Sequence, residues 1–568
     1  MDSRLRNKIV NRLNRIYKKT LTEEWIDGFI NFIEERKNKS PRKPPHWDEK
    51  MVFLITYGDV LKKDGEKPLH TLQKFAAKKL RRGISTIHIL PFFPYSSDDG
   101  FSIKDFYDVN PDYGTWDNIE QLEKDFHLMA DLVANHASSK GTWFQQFLDD
   151  QLPGKEYFFT PDDDFDTSNV IRPRSSQLLT EYETKTGKKK VWTTFSADQI
   201  DLNYSNPEVL KEMINVFLFY MSKGIRVIRL DAIAFLWKAS GTACMHETET
   251  HEIVRLFRDI MDYCYPGALL LTETNVPHRE NITYFGLGDE AHLIYQFALP
   301  PLILHALYSG NGHYLTQWAK ELNDPRRGMT YLNFTSSHDG IGVRPIEGLI
   351  PDDEKMEMIE NLKKNGARVT TRQLGQKHIP YEINVTYFDA LKVTNNGSDK
   401  YQTDRFLQSQ TIMLSLQGVP AFYFLNLFGI PNYYEGFEKT GVNRAINRRK
   451  FQLDELEELL IQEPGHKSIF DELMRRISLR KKMHAFSPET QQLIIDIKNE
   501  FFLVLRKTDC IDDSAVCVFN LTNQKQDLEL PVGLMDFNHD ILTNQDYNTE
   551  HLQLEPYQSM WLTTLNEC

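Results

Sequence analysis

The feature that most constrains the fold is a regular alternation of short apolar runs with amphipathic segments from residue 51 onward. Eight runs have the length and β-type composition of buried strands, namely MVFLITY, TIHILPFF, HLMADLVANH, RVIRLDAI, GALLLTET, HLIYQFALP, MTYLNFTSSHD and GVPAFYF. Helix-like or loop sequence separates each run from the next, and repeated strand–helix units form a parallel sheet covered by helices. The pattern predicts an α/β fold, a (β/α)8 or TIM barrel, with its site at the C-terminal ends of the strands.

The other segments depart from this alternation and predict the domain organisation. Residues 1–50 have helical periodicity and end in a proline-rich breaker, which indicates a helical N-terminal extension. The barrel then occupies 51–137 and 206–487, the second part including mobile acceptor loops. Between them, 138–205 is rich in Asp, Pro, Thr and Lys, typical of an inserted, irregular B subdomain. Residues 488–568 alternate apolar and polar side chains, which predicts a C-terminal antiparallel β domain.

Composition excludes several classes of function. The 568-residue chain has 67 Lys and Arg against 80 Asp and Glu, a net charge of −13, which argues against a nucleic-acid partner. It contains no uncharged apolar run of 18 residues and no signal-peptide core, so we expect no membrane association and a cytoplasmic location. Five cysteines without paired ligand spacing predict reduced thiols and neither a disulfide framework nor a metal site.

Charged residues stand at the ends of several predicted strands. Arg229 and Asp231 are two positions apart in one β-type run, so both point to the same face, where unpaired charge would be costly to bury. Other predicted strands end in polar residues too: Asn135, His136, Glu273, His338 and Asp339. Caps and ion pairs at a barrel mouth could account for any one of them, but their convergence favours an active site.

Three of these groups, Asp231, Glu273 and Asp339, are carboxylates from different strands. Converging carboxylates suit attack on an acetal carbon, in which one attacks the anomeric centre and one protonates the leaving oxygen. Metal binding by the same carboxylates remains an alternative on spacing alone. No Cys/His ligand set accompanies them, so we expect no metal.

Several motifs together resemble a known family. LVANH, VIRLDAI, LLTETN and SSHDG resemble, in order and strand placement, the conserved regions of the α-amylase superfamily of retaining glycoside hydrolases. ILPFFPYSSDDGF, RPRS, FALPPLILHAL, YEINVTYFDAL and NRAINR resemble its sucrose phosphorylase subfamily. The N-terminal extension and YEIN look most like the glucosylglycerate phosphorylase branch. The resemblance runs from about residue 50 to 480.

The resemblance implies roles for the three carboxylates. Asp231 matches the family's nucleophile, which forms a covalent β-glucosyl intermediate. Glu273 matches the general acid/base, whose work requires a raised pKa. Asp339 matches the carboxylate that grips sugar hydroxyls and stabilises the distorted transition state.

The resemblance also implies a glucose-binding set around these carboxylates. Arg229 would orient Asp231 and keep it ionised, although a plain structural ion pair uses the same contact. The remaining members are His136 and His338 for glucose hydroxyls, Asp98 and Arg444 for the far side of the ring, and Phe101 as an aromatic platform. Taken alone, His136 could be a hydrogen-bonded core histidine and Phe101 could be simple packing.

A phosphorylase differs from a glycosidase of this fold in what attacks the intermediate. Arginine suits inorganic phosphate best, and IRPRS supplies Arg172 and Arg174. Arg174 matches the family's phosphate-side arginine, and Tyr381 matches the mobile-loop tyrosine that helps to hold phosphate. A solvated basic pair in a loop is the alternative. Retention through two displacements would yield α-glucose 1-phosphate.

The acceptor loop departs from the sucrose-specific pattern. Glu382 stands where sucrose phosphorylases tend to have Gln, which weakens the case for fructose binding. The preceding loop offers donors for an anionic acceptor: Arg368, Arg372, Lys377 and His378. We therefore expect glucosylglycerate as the natural substrate, with Glu382 and Tyr381 at the acceptor side.

Other functions remain open at this point. They are a sucrose or sucrose 6-phosphate phosphorylase, an α-glucosidase or transglucosidase of the same fold, and a non-catalytic barrel. The last is disfavoured because all three carboxylates are present. We expect no cofactor and no calcium, and as partners an α-glucoside, inorganic phosphate and glucose 1-phosphate. A homodimer is among the assemblies considered, since the sequence does not fix the oligomeric state.

Overall fold

The computed structural model describes residues 1–38, 47–322, 328–374 and 377–564. A closed barrel of eight parallel strands lies at its centre, which confirms the predicted fold class. Its strands are β1 (Phe53–Thr56), β2 (Thr86–Ile89), β3 (His127–Val133), β4 (Ile225–Asp231), β5 (Leu269–Thr272), β6 (Leu293–Tyr295), β7 (Thr330–Phe334) and β8 (Val419–Tyr423).

The register of the barrel sets which charged residues become neighbours. Strands β3 and β4 pair in parallel, so that Asp131 lies beside Arg229 and Val133 lies beside Asp231. On the other side of β4, Leu271 of β5 pairs with Arg229. The strands are buried on both faces, as expected of parallel strands covered by helices. The charged residues of β4 therefore have to find their partners inside the barrel.

Helices cover the outside of the barrel. The helix Pro207–Ser222 begins with Asn206 as N-cap and a proline at its first position, a combination that favours helix initiation. The helix Thr248–Cys264 buries an apolar stripe against the barrel. The barrel segments also contain the helices Pro68–Lys79, Trp116–Glu123, His278–Asn281, Leu299–Ser309, His313–Glu321, Asp352–Lys364, Tyr387–Ala390, Gln402–Ser415, Tyr434–Thr440, Leu453–Gln462 and Pro464–Arg480.

The segment inserted after β3 contains a few short regular elements. Strand His136–Ser138 pairs antiparallel with Gln199–Asp201, which brings the two ends of the insertion together. Between them lie the helix Thr142–Leu148 and a hairpin of Leu179–Thr184 with Gly187–Trp192. The insertion thus begins at the residue that follows Asn135, at the mouth of the barrel.

A six-stranded antiparallel sheet near the C-terminus confirms the predicted β domain. In spatial order its strands are Gln491–Ile494, Phe501–Lys507, Ala515–Asn520, Ser559–Thr563, His539–Asp540 and Gln545–Asp546. Side chains alternate between its two faces. Phe502 and Phe519 join the main core, whereas Phe501 and Val518 form a second cluster with the strands Gln526–Leu528 and Leu552–Leu554.

Two helices precede the barrel: α1 (Ser3–Ile16), capped by Asp2, and α2 (Glu23–Glu35), capped by Thr22. They dock on the barrel through buried apolar residues and one buried arginine. Arg12 is 4% exposed. It forms ion pairs with Glu252 at 3.2 Å, with Asp259 at 2.5 Å and with Asp289 at 3.1 Å. Three carboxylates from the barrel therefore converge on one arginine of α1.

We expect Arg12→Ala to weaken the attachment of α1, lowering the free energy of its local opening by about 3 kcal/mol, because removing one partner leaves buried carboxylates undercompensated. Native-state hydrogen exchange of the α1 amides measures this opening. Arg6→Ala is the control, since the Arg6–Asp27 pair is exposed and worth less than about 1 kcal/mol. Equal protection in both variants would contradict this role of Arg12.

The structure bears on the expectations about membrane spans and about the cysteines. Within the four described ranges, no helix is both long and apolar enough to cross a membrane. Cys244, Cys264 and Cys517 are buried free thiols. Cys510 is disulfide-bonded, so the prediction of five reduced thiols is wrong there. Motif spacing could not show this, because such a bond depends on which residues the fold brings together.

Candidate active site

A cavity of about 750 Å³, its mouth included, opens at the C-terminal ends of the barrel strands. The three predicted catalytic carboxylates, Asp231, Glu273 and Asp339, all line it. Seven other residues of the predicted site also line it: Asp98, Phe101, His136, Arg174, His338, Tyr381 and Arg444. The two remaining members, Arg229 and Glu382, lie behind this wall and contact residues that form it.

Arg229 holds Asp231 from within the barrel. Its Nη1 donates to Asp231 Oδ1 at 2.7 Å and also to Asp131, the residue that the strand register places beside it. His88 Nε2 lies 2.7 Å from the other oxygen of Asp131. Burial opposes ionisation of Asp131, but the charge of Arg229 and the contact with His88 outweigh it and lower its pKa. Asp131 therefore acts as the fixed counter-charge that orients Arg229.

The backbone turn after β4 connects Asp231 to Glu273. Ala232 directly follows Asp231 and has a left-handed conformation, with φ of 50°. Its N–H donates to Glu273 Oε2 at 3.0 Å. A non-glycine residue at positive φ is a local strain that persists only where the surroundings impose it, often at functional sites. The turn holds Glu273 beside the carboxylate that we expect to attack.

The environments of Asp231 and Glu273 decide which of the two carries a proton. Burial is the main cause that raises the pKa of both; the charge of Glu273 adds to it for Asp231, and that of Asp339 adds to it for Glu273. A pair in this setting keeps a proton to higher pH than either acid would in water. Arg229 donates to Asp231, whereas in the described part of the chain Glu273 accepts only the Ala232 N–H. We therefore place that proton on Glu273.

Asp339 has the opposite environment. Burial alone would raise its pKa, but Arg444, Arg448 and other nearby cations lower it. Arg444 Nη1 lies 2.6 Å from Asp339 Oδ1. Asp339 is therefore ionised at neutral pH and available to accept hydrogen bonds.

Glu382 fixes the position of Arg444. Its two oxygens accept from Arg444 Nε at 2.9 Å and Nη2 at 2.7 Å, and the Gly340 N–H donates to it at 2.9 Å. Glu382 is 1% exposed. A Cβ at Gly340 would come within 2.6 Å of the Glu382 side chain, so glycine is needed there. Glu382, expected to touch substrate, thus lies behind Arg444.

Asp98 and Arg444 both line the cavity, but the ion-pair partner of Asp98 is a residue that the sequence analysis missed. Arg448 Nη1 lies 3.5 Å from Asp98 and 2.9 Å from Asp99. Asp98 and Asp99 both have positive φ, near 50°. Arg448 follows Arg444 by four residues in NRAINRR, so the repeated arginine in that motif was the available signal.

The two histidines and Phe101 form one wall. The rings of Phe101 and His338 stack with centroids 4.7 Å apart and planes 5° apart. His136 Nε2 lies 3.0 Å from the Phe101 carbonyl. Burial lowers the pKa of both histidines, and Arg448 and Arg229 lower that of His338 further. Both are therefore neutral at pH 7, which lets them bond sugar hydroxyls without adding charge to the site.

Arg174 and Tyr381 both line the cavity. Within the described part of the chain, Arg174 makes no hydrogen bond or ion pair, so its guanidinium is free for a ligand. Tyr381 is 8% exposed, and burial raises its pKa. Arg172, the other arginine of IRPRS, is not among the wall residues.

The four loop residues expected to meet an anionic acceptor lie elsewhere. They belong to an antiparallel hairpin, Arg368–Leu374 with Lys377–Asn384, of which Tyr381 reaches the cavity. Arg368 stacks over Phe437 at 4.6 Å, Arg372 bonds Glu347 at 2.8 Å, and the side chains of Lys377 and His378 are exposed. The expected position of these donors was wrong, because Tyr381 of this hairpin lines the cavity and these four residues do not. Arg344, which the sequence analysis did not single out, lines the wall.

No group of three or more His, Cys, Asp or Glu side chains in the described ranges could hold a metal ion. The polar groups of the cavity instead form ion pairs with one another, carboxylate to arginine. Such a site can bind a polyhydroxylated ring and exchange its anomeric substituent.

Comparisons with known proteins agree with this geometry. Residues 78–340 match the α-amylase family, described as the alpha amylase catalytic domain. The chain is 42% identical over 530 residues to a glucosylglycerate phosphorylase of Spirochaeta thermophila, covering 91% of this chain and 90% of the relative. It is 41% identical over 564 residues to a glucosylglycerate phosphorylase of Escherichia coli, covering 98% of this chain and 100% of the relative.

A solved structure shows the same architecture. The sucrose 6F-phosphate phosphorylase of Thermoanaerobacter thermosaccharolyticum superposes with a TM-score of 0.72 at 27% sequence identity, covering 83% of this chain and 94% of that one. Identity above 40% over nearly the full length, and the carboxylates in one barrel-mouth cavity, lead to one conclusion. The chain belongs to the glucosylglycerate phosphorylase family, within the α-amylase superfamily.

Proposed function

We propose that the protein is a retaining phosphorylase that reversibly converts glucosylglycerate and inorganic phosphate into α-D-glucose 1-phosphate and glycerate. The observation that carries the proposal is the shared cavity: three carboxylates with distinct environments line it together with Arg174, a cation without a protein partner among the described residues. Both relatives described above, at 42% and 41% identity, bear the name of this activity.

The first half of the reaction transfers glucosyl to the enzyme. The Asp231 carboxylate attacks the anomeric carbon, the bond to the glycerate oxygen breaks, and Glu273 gives its proton to that oxygen. Arg229 keeps Asp231 aligned. Asp339, ionised and aligned by Arg444, binds ring hydroxyls as positive charge develops at the anomeric carbon. A covalent β-glucosyl ester on Asp231 results.

The second half transfers glucosyl to phosphate. A phosphate oxygen attacks the anomeric carbon, the bond to Asp231 breaks, and the proton of the attacking phosphate passes to the Glu273 carboxylate. Two inversions give retention, so the product is the α-anomer. Phosphate has to outcompete water for the ester, which requires a cation at the mouth. Arg174 provides a guanidinium that can donate two hydrogen bonds to phosphate, and Tyr381 provides a hydroxyl donor.

We expect Arg174→Ala to raise the KM for phosphate by about 10- to 100-fold, because the charged hydrogen bonds to phosphate are lost. Hydrolysis of the glucosyl donor without phosphate should change little, because water does not use the guanidinium. Measuring glucose and glucose 1-phosphate release against phosphate concentration separates the two effects. An unchanged phosphate KM would remove Arg174 from the phosphate site.

The identity of the acceptor is tested in the synthetic direction. With glucose 1-phosphate as donor, glycerate, glycerol, fructose and fructose 6-phosphate are compared as acceptors by phosphate release. The proposal requires glycerate to have the highest kcat/KM. Preference for fructose or fructose 6-phosphate would instead assign the chain a sucrose or sucrose 6-phosphate phosphorylase activity on the same mechanism.

We further propose that the reaction takes place in the cytoplasm. Glucose 1-phosphate carries a charged phosphate and crosses a bilayer only with a carrier, so it is used in the compartment where it forms. Activity found in the soluble cytoplasmic fraction would agree, and activity confined to another fraction would not.

A further inference from the structure

Arg344 is a cation on the cavity wall to which neither the sequence analysis nor the mechanism gives a role. It begins the short helix Arg344–Ile346, and its side chain is 10% exposed. A guanidinium carries five N–H donors. In the described part of the chain its ion pair is with Glu280, at 3.5 Å, and the Glu280 side chain is 43% exposed. Most of the Arg344 donors therefore remain available to a ligand.

Arg344 lies on the side of the cavity where Glu273 lies. Thr274, Asn275 and Val276 directly follow Glu273 and line the same cavity. Asn275 packs against Gly342, two residues before Arg344: a Cβ at Gly342 would lie 2.7 Å from Asn275 Oδ1. Since Glu273 protonates the oxygen of the departing group, this wall borders the acceptor.

Because the cavity wall carries several carboxyl groups, a negatively charged acceptor needs a cation beside it. Asp98, Asp231, Glu273 and Asp339 are four carboxyl groups in one cavity, and Arg444 is already paired with Asp339 and Glu382. A second anion entering this cavity as acceptor would be repelled unless a free cation met it. Among the described wall residues, Arg174 and Arg344 are the cations that no wall carboxylate neutralises.

The two arginines have different neighbours in the cavity. The charge of Arg174 acts on Asp339, Tyr381 and Glu382, so Arg174 lies on the side of Tyr381. Arg344 lines the same cavity as Asn275, which packs against Gly342; the Asn275 Oδ1 is buried and has no hydrogen-bond partner among the described residues. An amide can both accept from and donate to a hydroxyl. This part of the wall therefore offers the Arg344 guanidinium to bind a carboxylate and the Asn275 amide to bind a hydroxyl.

We propose that Arg344 and Asn275 form the subsite that binds the carboxylate and free hydroxyl of the acceptor, so that Arg344 determines the specificity for a short hydroxy acid. This inference rests on the proposed function and deepens it. In glycerate the carboxylate is separated from the glycosidic oxygen by no more than two carbon atoms. The fork that binds it must therefore lie close to Glu273, and Arg344 lines the same cavity as Glu273, Thr274 and Asn275.

The test compares glycerate with glycerol, which has a hydroxymethyl group in place of the carboxylate, as acceptors of glucose 1-phosphate. Arg344→Gln should lower kcat/KM for glycerate by about 10- to 100-fold, as expected for lost charged hydrogen bonds. Its kcat/KM for glycerol and its KM for glucose 1-phosphate should stay within about threefold, which also shows that the variant is folded. Arg344→Lys keeps the charge without the fork, so its loss should be intermediate.

Arg372→Gln is the matched control, since Arg372 bonds Glu347 outside the cavity and should leave the glycerate preference unchanged. If Arg344→Gln keeps the wild-type preference, or if Arg372→Gln loses it, the subsite is wrong while the proposed function stands. A wild-type enzyme that uses glycerol as well as glycerate would overturn both. Loss of the preference in Arg344→Gln alone supports the subsite.

Discussion

Asp231→Asn should lower kcat/KM for phosphorolysis by about 10⁴-fold or more, because removing the nucleophile of a covalent mechanism leaves only binding and electrostatic effects. The amide cannot form the glucosyl ester, and it replaces the carboxylate that accepts from Arg229 at 2.7 Å. Initial rates of glucose 1-phosphate formation measure the loss.

The control for this substitution is Asp108→Asn, which makes the same chemical change at an exposed position outside the cavity. It should keep nearly full activity. Thermal unfolding of both variants checks that the fold is retained. An Asp231→Asn enzyme with more than a few per cent of wild-type activity would show that glucosyl transfer does not pass through this carboxylate.

Glu273→Gln should lower the rate on glucosylglycerate by about 10²- to 10⁴-fold, the usual contribution of a general acid/base. With α-glucosyl fluoride the loss in the first step should be small, because fluoride leaves without a proton. The ester on Asp231 then accumulates, since phosphate is no longer deprotonated as it attacks. Added azide, which needs no base, should release it as α-glucosyl azide.

Fluoride release and the mass of the Asp231 peptide measure the two steps in this variant. Glu273→Asp is the companion change, keeping the carboxyl group but shortening its reach, so azide should affect it less. If Glu273→Gln loses activity equally on both donors and azide has no effect, Glu273 does not act as the acid/base.

The pH profile provides a separate test of the same pair. Burial raises the pKa of Glu273, and it works as the acid only while protonated, so activity should fall as pH rises through its pKa. Asp231 works only while ionised, so activity should also fall as pH falls through its pKa. The dependence of kcat/KM on pH for glucosylglycerate should be bell-shaped, and Glu273→Gln should lose the basic limb. A basic limb that persists in this variant would contradict the assignment.

The barrel could be predicted because parallel strands buried on both faces appear as continuous apolar runs, whatever they contact. That Asp231 and Glu273 would line one cavity could be predicted because they stand at the ends of such runs. Asp131 was missed as the partner of Arg229, because the contact comes from the register between two strands, which neither strand's sequence states.

Interactions across loops were also beyond the sequence. Glu382 was expected at the substrate, but its bidentate pairing with Arg444 depends on a hairpin folding over residues 62 positions away. The motif containing Arg368 and Arg372 suggested an anion site, yet the fold turns these side chains away and presents Arg344 from a different loop. Charge in a sequence shows which groups are available, and tertiary contacts decide which of them face the ligand.

The phosphate dependence of the reaction is measured with purified protein and glucosylglycerate, with and without inorganic phosphate, by quantifying glucose 1-phosphate and free glucose. We expect α-glucose 1-phosphate and glycerate in equal amounts with phosphate, and only slow glucose release without it. Free glucose at the same rate in both reactions would mean that water is the acceptor, and it would contradict the proposed phosphate site at Arg174 and Tyr381.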